Sequence, residues 1–411
     1  KKDGTREEFN PQKIVAAVNK SAERILYTFS DEEKDFICRF AQEHADSLGK
    51  NEIEIQEMHN IVEGALERVN PAVAKSYRDY RNYKLDFIHM MDDVYTKSQA
   101  IRYIGDKSNA NTDSALVATK RSLIFNELNK ELYRKFFMNR NELQACKDGY
   151  IYIHDQSARL DTMNCCLFDV AAVLSGGFWY NEPKTLDTAF DVMGDIILST
   201  AAQQYGGFTV PEVDKILAPY AKKSYDKYIS EFMKYSDESW SGREERAIEY
   251  ALDKVRRDYD QGWQGIEYKL NTVGSSRGDY PFVTVTLGLG TEQFEKMCTI
   301  SLLEVHQGGQ GKAGHKKPVL FPKIVFLYDK EIHGPGKCCE DIFEAGVECS
   351  SKTMYPDWLS MSGAGYISSM YRKYKKVISP MGCRAFLSPW YERGGMEPAD
   401  ENDTPVFVGR F

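Results

Sequence analysis

Residues 379–389 read Ser-Pro-Met-Gly-Cys-Arg-Ala-Phe-Leu-Ser-Pro, and the rest of the chain is best understood as a means of placing the cysteine at their centre. Two prolines and a glycine in so short a span do not continue a helix and are poor residues for an interior strand. We therefore predict a fixed loop with apolar flanks and with Cys383 at its tip. A cysteine in such a segment is either an inert core thiol or a reactive group shielded from water, and the segment alone leaves both readings open.

Composition and cysteine usage narrow the class of protein. The chain has 411 residues, so two or three domains are expected. Its formal net charge is -8, so it lacks the excess of basic residues expected of a protein that binds duplex nucleic acid. No apolar run is long enough to span a bilayer and the first residues do not form a signal peptide, which favours the cytoplasm. Nine scattered cysteines argue against a secreted disulfide scaffold. Cys338, Cys339 and Cys349 lack a fourth ligand at a metal-binding spacing, so no metal site is predicted in this chain.

The first part of the chain, residues 1–92, reads as a small, mostly helical domain. An Asp-Gly turn within residues 1–9 predicts a β-hairpin. The last helix of the domain is predicted to end near Leu85, and residues 87–95 are predicted to connect it to a second domain, residues 93–411. Caps and apolar periodicity predict helix starts at Asn10-Pro11, Ser30, residues 53–55 and Ala72.

The second part, residues 93–411, alternates predicted strands with predicted helices, which indicates a barrel or a doubly wound sheet. Successive side chains of a strand point to opposite faces, so Cys165 and Cys166 are predicted to face different sides of the sheet. Strands are predicted at residues 150–155, 162–170, 282–287 and 321–326.

Several motifs together resemble one enzyme family. Ser-Pro-Met-Gly-Cys-Arg before Phe-Leu-Ser is similar to the finger loop of the anaerobic (class III) ribonucleotide reductases, which are glycyl radical enzymes. Further stretches match that family in the same order along the chain, at residues 109–114, 164–167, 271–284 and 354–357. The resemblance implies an α/β fold in which ten strands close into a barrel around the finger loop. Because this sequence stops shortly after the loop, the barrel is expected to be incomplete at its C-terminal end.

The same resemblance implies the chemistry. In the family, the finger-loop cysteine carries a transient thiyl radical that removes the 3′ hydrogen of a ribonucleoside triphosphate, and the 2′ hydroxyl then leaves as water. Carried over by position, that cysteine is Cys383, while Cys165 assists the reduction and Cys166 is a structural thiol. Asn164 is expected to bind a ribose hydroxyl, and the His-Asp pair at 154–155 reads either as part of the site or as a buried hydrogen bond. The further substrate-binding residues implied are His154, Asp155, Ser379 and Met381.

Residues 1–92 resemble the ATP-cone, a regulatory module that binds ATP or dATP in many ribonucleotide reductases. Lysines offer point charges to a triphosphate, and Ile55 with the aromatic Tyr80 is expected to form walls for an adenine. His59 is read either as a donor to the nucleotide or as an ordinary surface histidine. The residues implied in ATP or dATP binding are Lys1, Lys2, Glu7, Asn10, Lys13, Ile55 and His59.

Cofactors and partners also follow from the resemblance. The radical is stored on a glycine outside this sequence, and a zinc site is expected only in that same C-terminal part. A radical-SAM activating enzyme, formate or a thiol system as reductant, and a homodimer or higher homo-oligomer are implied, with no membrane and no nucleic acid. Deoxynucleoside triphosphates are expected as specificity effectors near the glycine pair at 206–207. Family members have a short strand ahead of Lys1, so the natural N-terminus is expected to lie upstream.

Two alternatives stand against this interpretation. Other glycyl radical enzymes, such as formate-lyases, usually carry adjacent cysteines on the finger loop, whereas Gly382 precedes a lone Cys383 here. A catalytically silent nucleotide-sensing protein would retain the cone and an inert core. Radical formation with an activating partner separates these two alternatives from each other.

Overall fold

The computed structural model describes residues 6–104, 116–153, 156–158, 165–175, 181–204, 206–275 and 278–380. The chain divides into two compact units, Lys1–Thr96 and Lys97–Phe411, and each is described by itself. The division falls a few residues after the functional boundary predicted between residues 92 and 93.

The first unit is built from helices whose starts are fixed by local caps. The side chain of Asn10 accepts a hydrogen bond from the Gln12 amide at 2.9 Å, and Ser30 and Glu33 form a reciprocal capping box. The inward faces of the helices share one apolar core, which includes Val18, Ile37, Leu66 and Val73. The helices are α1 Pro11–Glu23, α2 Asp31–Ser47, α3 Ile55–Val69 and α4 Pro71–Ile104.

Helix α4 corrects the predicted connection between the domains. The prediction ends this helix near Leu85 and makes residues 87–95 a connecting segment, but the helix continues to Ile104. No glycine or proline occurs after its first residue, so nothing in the backbone stops it. Met90 and Val94 lie one helical turn apart and are both buried, which gives this stretch an inward face.

The second unit is organised around one parallel sheet. Its five strands in the described residues are adjacent in the order in which they occur in the chain, and every neighbouring pair is parallel. Parallel neighbours need crossover connections, and right-handed crossovers between consecutive strands place the connecting helices on the same side of the sheet. The strands are β1 Cys166–Leu167, β2 Phe208–Val210, β3 Val283–Leu287, β4 Lys323–Tyr328 and β5 Asp357–Ser360.

Ten helices accompany this sheet in the described residues, and several of them contribute to its apolar core. Among all described helices, none is both long enough and apolar enough to cross a membrane. The helices are α5 Val117–Phe136, α6 Arg140–Lys147, α7 Val170–Leu174, α8 Leu186–Ala201, α9 Val213–Tyr235, α10 Arg243–Thr272, α11 Gln293–Gly308, α12 Lys330–His333, α13 Glu340–Thr353 and α14 Tyr366–Tyr374.

The two faces of the sheet have different chemistry. On β3, valine and threonine alternate, so Val283 and Val285 join the main apolar core on the helix-covered face. Thr284 and Thr286 point to the opposite side, which we call the inner face, and both are buried. On β4, Val325 and Leu327 lie on this inner face, in an apolar cluster separate from the main core that also contains Met361 and Val377.

Several predicted strands differ in the structure. Residues 150–153 form no strand although aromatic and aliphatic residues alternate there, because a strand needs a partner ladder as well as a pattern. Within residues 165–170, only Cys166–Leu167 is a strand, since Asp169 accepts a hydrogen bond from the Ala172 amide at 2.9 Å and starts α7. Of the predicted N-terminal hairpin, residues 1–5 lie outside the described part and residues 6–10 form no strand. Closure of ten strands into a barrel stays a prediction.

Candidate functional site

Cys165 and Cys166 lie at the first strand of the sheet and have different surroundings. Cys166 is fully buried in the main core, where its Sγ donates a hydrogen bond to Gln204 Oε1 at 2.7 Å. Burial raises the pKa of the Cys166 thiol to about 12, so it stays protonated at neutral pH. Cys165 is half-buried, and its Sγ accepts a hydrogen bond from the Gly207 amide at 3.2 Å. The predicted separation of the two cysteines agrees with these contacts, and strand alternation places Cys165 on the inner face.

The segment that leads into the finger loop crosses the inner face of the sheet. Residues 377–380 follow α14, form no strand and are all buried. Val377 packs in the cluster that contains Val325 and Leu327 of β4. Ser379 lies with its Oγ 3.3 Å from the Oγ1 of Thr286 on β3. The start of the finger loop is therefore attached to the centre of the sheet, on the side assigned to Cys165.

Thr286 also holds the turn between β2 and α9. Its Oγ1 accepts a hydrogen bond from the Glu212 amide at 2.8 Å. Glu212 has φ 48, in the left-handed region that non-glycine residues adopt at a cost, and its carboxylate pairs with Lys215 at 2.7 Å. The threonine hydroxyl thus joins this strained turn to the segment that precedes Cys383.

A buried carboxylate ties together the loops that follow β2 and β3. Asp214, at the start of α9, has no exposed surface, and its Oδ2 accepts hydrogen bonds from the Gly288 and Gly290 amides at 2.9 and 3.2 Å. Its Oδ1 accepts from the Lys215 amide at 3.0 Å. Burial outweighs these donors and raises the pKa of Asp214 to about 6. This carboxylate fixes the carboxyl ends of two neighbouring strands, the edge at which parallel sheets generally carry their sites.

Sequence reasoning missed Thr286 and Asp214, although part of the signal was visible. The alternation of valine with threonine over residues 283–287 assigns Thr286 to the face opposite the apolar core. What brings Ser379 to that face is a contact across 93 residues of sequence, which no local pattern reports. Asp214 lies among other charged residues, Glu212 and Lys215, so its complete burial has no local signature.

Three residues predicted for the nucleotide site of the first unit lie at the start of α1. Lys13, in the first turn of α1, forms an exposed ion pair with Glu7, which precedes the helix. Asn10 lies between these two residues in sequence and caps α1. A triphosphate at Lys13 therefore competes with the Glu7 carboxylate for the ammonium group.

The other two described residues of that predicted site lie on α3. Ile55 begins the helix and is exposed, and Nδ1 of His59 is hydrogen-bonded to the hydroxyl of Tyr77 at 2.6 Å. Tyr80, expected beside the adenine, stacks under the guanidinium of Arg24, with 3.6 Å from the guanidinium carbon to the ring centre. The structure thus orients His59 through Tyr77 and leaves the apolar side chain of Ile55 at the surface.

The remaining predicted site residues lie outside the described part of the chain. In the described residues, no three histidine, cysteine, aspartate or glutamate side chains form a group that could hold a metal ion. The residues outside the described part are Lys1, Lys2, His154, Asp155, Asn164, Met381 and Cys383.

Comparison with known families decides the class of the chain. Residues 108–408 match a family described as anaerobic ribonucleoside-triphosphate reductase, and residues 1–86 match the ATP cone domain. The chain belongs to the anaerobic ribonucleoside-triphosphate reductase family. It carries an N-terminal ATP-cone, as the motifs predicted.

Curated members of the reductase family align with most of this chain. It is 31% identical over 414 residues to the anaerobic ribonucleoside-triphosphate reductase of Haemophilus influenzae, covering 96% of this chain and 55% of the relative. It is 35% identical over 303 residues to the enzyme of Enterobacteria phage T4, covering 71% of this chain and 47% of the relative. The chain thus spans about half the length of these relatives.

Solved structures similar to the reductase chain include the anaerobic ribonucleotide reductase from Thermotoga maritima with glycerol in the active site. That comparison has a TM-score of 0.47 and 14% sequence identity, and it covers 73% of this chain and 52% of the other. A second structure of the same enzyme, in complex with dATP and CTP, gives a TM-score of 0.42 at 14% identity, covering 71% and 52% of the two chains.

Proposed function

We propose that this chain is the part of an anaerobic ribonucleoside-triphosphate reductase that carries the nucleotide-sensing cone and the cysteines of the reducing site. In this proposal, residues 1–92 regulate and residues 93–411 carry the chemistry. One observation supports the catalytic assignment most directly: Ser379 is buried against Thr286 on the face of the sheet assigned to Cys165. That contact directs the chain towards the site immediately before Cys383.

Chain length permits Cys383 and Cys165 to approach one another. The sheet register aligns Cys165 with Gly207 and Phe282. Thr286 therefore lies two strands across the sheet and four residues along it from Cys165. This separation is roughly 16 Å, for a strand spacing of about 4.8 Å and a rise of about 3.3 Å per residue. Cys383 follows Ser379 by four residues, which span at most about 14 Å when extended. The four residues can therefore cover most of that distance, so chain length does not prevent the two sulfur atoms from lying on either side of one sugar.

In the proposed reaction, the Cys383 thiyl radical takes the 3′ hydrogen of the substrate and the 2′ hydroxyl leaves as water. Formate or a thiol system supplies the two electrons of the reduction, and the hydrogen is then returned from Cys383 to carbon 3′. Cys383 would become a thiyl radical by giving the hydrogen of its thiol to a glycyl radical, whose glycine is expected outside this chain. Cys165 supplies hydrogen in the reduction, and Cys166 is unsuited to that role because its thiol is buried on the other side and bonded to Gln204. Asn164 is proposed to bind a ribose hydroxyl, with substrate contacts from His154, Asp155, Ser379 and Met381.

The inner face suits a radical because a buried apolar cluster lies beside the start of the finger loop. Val325, Leu327 and Val377 are buried there together. A sulfur radical that water and small thiols cannot reach is protected from quenching, so the reaction benefits from this dry surface. Zinc is assigned to the same C-terminal part of the enzyme as the radical glycine.

The cone is proposed to bind ATP or dATP through residues at the starts of α1 and α3, and deoxynucleoside triphosphates are proposed as specificity effectors. An activating radical-SAM enzyme, formate or a thiol system as reductant, and assembly as a homodimer or higher oligomer complete the proposal. Because nucleoside triphosphates are cytoplasmic metabolites, the cytoplasm is the proposed location. The nucleotide-binding residues are proposed to be Lys1, Lys2, Glu7, Asn10, Lys13, Ile55 and His59.

The decisive experiment replaces the proposed radical cysteine in the full-length, radical-activated enzyme. Cys383→Ser is expected to abolish reduction of ribonucleoside triphosphates, because oxygen forms a stronger bond to hydrogen than sulfur does. Deoxynucleotide formation is measured by chromatography. Cys338→Ser, at an exposed cysteine, is the matched control and is expected to retain activity. Full activity in Cys383→Ser would overturn the proposed function.

A further inference from the structure

We propose that Thr286 is a positioning residue whose hydroxyl anchors Ser379 and thereby sets the path of the loop that carries Cys383. This inference rests on the proposed function, since the anchor matters for reduction only if Cys383 is the reacting cysteine. Ser379, implied above as a substrate contact, acts in this proposal as the point at which the finger loop is fastened to the sheet.

The two hydroxyl groups form a buried pair. Thr286 has no exposed surface and Ser379 is 2% exposed, and their oxygen atoms are 3.3 Å apart. A hydroxyl has one proton and two lone pairs, so Thr286 can accept from the Glu212 amide and still share one hydrogen bond with Ser379. Both hydroxyl groups therefore have a hydrogen-bond partner, which is the usual state of buried polar groups.

The anchor is directional, and the other contacts of the segment are not. Val377 and Ile378 are buried by apolar packing, which holds the segment against the sheet without specifying its position along the strand. Residues 377–380 also form no strand, so no backbone ladder sets their register against β3. A hydrogen bond between Ser379 and one side chain of β3 specifies that register.

The shared hydroxyl couples the finger loop to the turn at Glu212. Thr286→Val removes the acceptor of the Glu212 amide as well as the bond to Ser379, while Ser379→Ala removes only the second. Thr286→Ser keeps the hydroxyl and both possible bonds. The three variants therefore separate the anchor from the turn.

Alkylation of Cys383 tests the anchor without requiring enzymatic activity. The rate of its reaction with iodoacetamide is measured by peptide-resolved mass spectrometry in the chain of this sequence, with exposed Cys338 and fully buried Cys298 as internal references. Thr299→Val is the matched control variant, because Thr299 is fully buried on α11 and its Oγ1 has no hydrogen-bond partner among the described residues.

Ser379→Ala and Thr286→Val are each expected to raise the Cys383 alkylation rate roughly fivefold or more, the effect of losing one buried hydrogen bond on local opening. Thr286→Ser and Thr299→Val are expected to match the wild-type chain. Because the two hydroxyls share one hydrogen bond, the double variant Thr286→Val, Ser379→Ala should have the same Cys383 alkylation rate as Thr286→Val alone. Equal Cys383 alkylation rates in wild type and Ser379→Ala would overturn the proposal. If Thr286→Val fails to fold, the comparison of wild type with a folded Ser379→Ala variant still tests it.

Kinetics of the activated, full-length enzyme provide the second readout. Ser379→Ala is expected to lower kcat about tenfold with little change in KM, because the anchor places the reacting sulfur. A change in KM alone would instead assign Ser379 to substrate binding and overturn the anchor. Failure of the proposed function would appear separately, as activity retained in Cys383→Ser, and would leave the alkylation result unaffected.

Discussion

The backbone N–H and C=O of Gly288 are each hydrogen-bonded to a buried titratable side chain. Its N–H donates to Asp214 Oδ2 at 2.9 Å, and its carbonyl accepts from His333 Nε2 at 2.8 Å. Burial shifts the two pKa values in opposite directions: it raises the pKa of Asp214 to about 6 and lowers that of His333. Both side chains are thereby favoured in their neutral forms, and the carboxyl end of β3 is sensitive to pH from two sides.

The Asp214→Asn variant isolates the contribution of the carboxyl group. The pKa of Asp214 is higher in the folded chain, about 6, than its ordinary value of 3.8, so its stabilising contribution is complete at acid pH and is lost as pH rises through 6. The difference in unfolding free energy between wild type and Asp214→Asn should therefore shrink between pH 4.5 and 7, by on the order of 2 kcal/mol. Denaturant titrations at the two pH values measure it, and a gap that is constant or widens contradicts the assignment.

At the scale of single elements, the features that the sequence predicted are local ones. The cap at Asn10 and the capping box of Ser30 with Glu33 involve residues at most three apart, so the sequence carries the whole signal. A strand is predicted at 282–287, a run rich in β-branched residues, and the structure has it at Val283–Leu287. The same reasoning failed at 150–153, where the pattern is present and no neighbouring strand pairs with it.

The candidate site shows the same limit. Alternation along a strand sufficed to predict that Cys165 and Cys166 face opposite sides, since that depends on adjacent residues. The contact of Ser379 with Thr286 depends on how strands and loops far apart in sequence are arranged, so it became visible only in the fold. Roles carried by Cys383 and Asn164 rest on the family motifs.

Helix α4 offers a direct test of the corrected connection. Asp93 is exposed in the middle of the helix. Glycine is less favourable than alanine in a helix interior by about 1 kcal/mol, so Asp93→Gly should lower amide protection in residues 90–97 roughly fivefold relative to Asp93→Ala. Hydrogen exchange followed by mass spectrometry measures the ratio. Equal protection in the two variants would support the connecting segment first predicted there.

At the scale of the whole molecule, two units with separate apolar cores are expected to unfold in separate steps. A ligand that binds one folded unit raises the melting temperature of that unit. Under the proposed function, ATP or dATP therefore stabilises the unit of residues 1–96 and leaves the transition of the reductase unit in place.

Lys13→Ala is expected to reduce the shift caused by ATP or dATP and to weaken binding about tenfold or more, because a point charge for the triphosphate is lost. Calorimetry measures both the affinity and the two transitions. Lys34→Ala is the matched control, since Lys34 lies in the same unit and pairs with Asp31 at 3.1 Å on α2. Unchanged affinity in Lys13→Ala would remove this residue from the nucleotide site.

The order of strands across the sheet has a consequence for how the protein can fold during synthesis. Among the described strands, each one from β2 to β5 pairs with the strand that precedes it in sequence, so none of them has to wait for a later neighbour while the chain emerges from the ribosome. The sheet can grow by addition at one edge, at the pace of translation. The segment with Ser379 is synthesised after these five strands, so all the strands that it contacts have been made by the time it emerges.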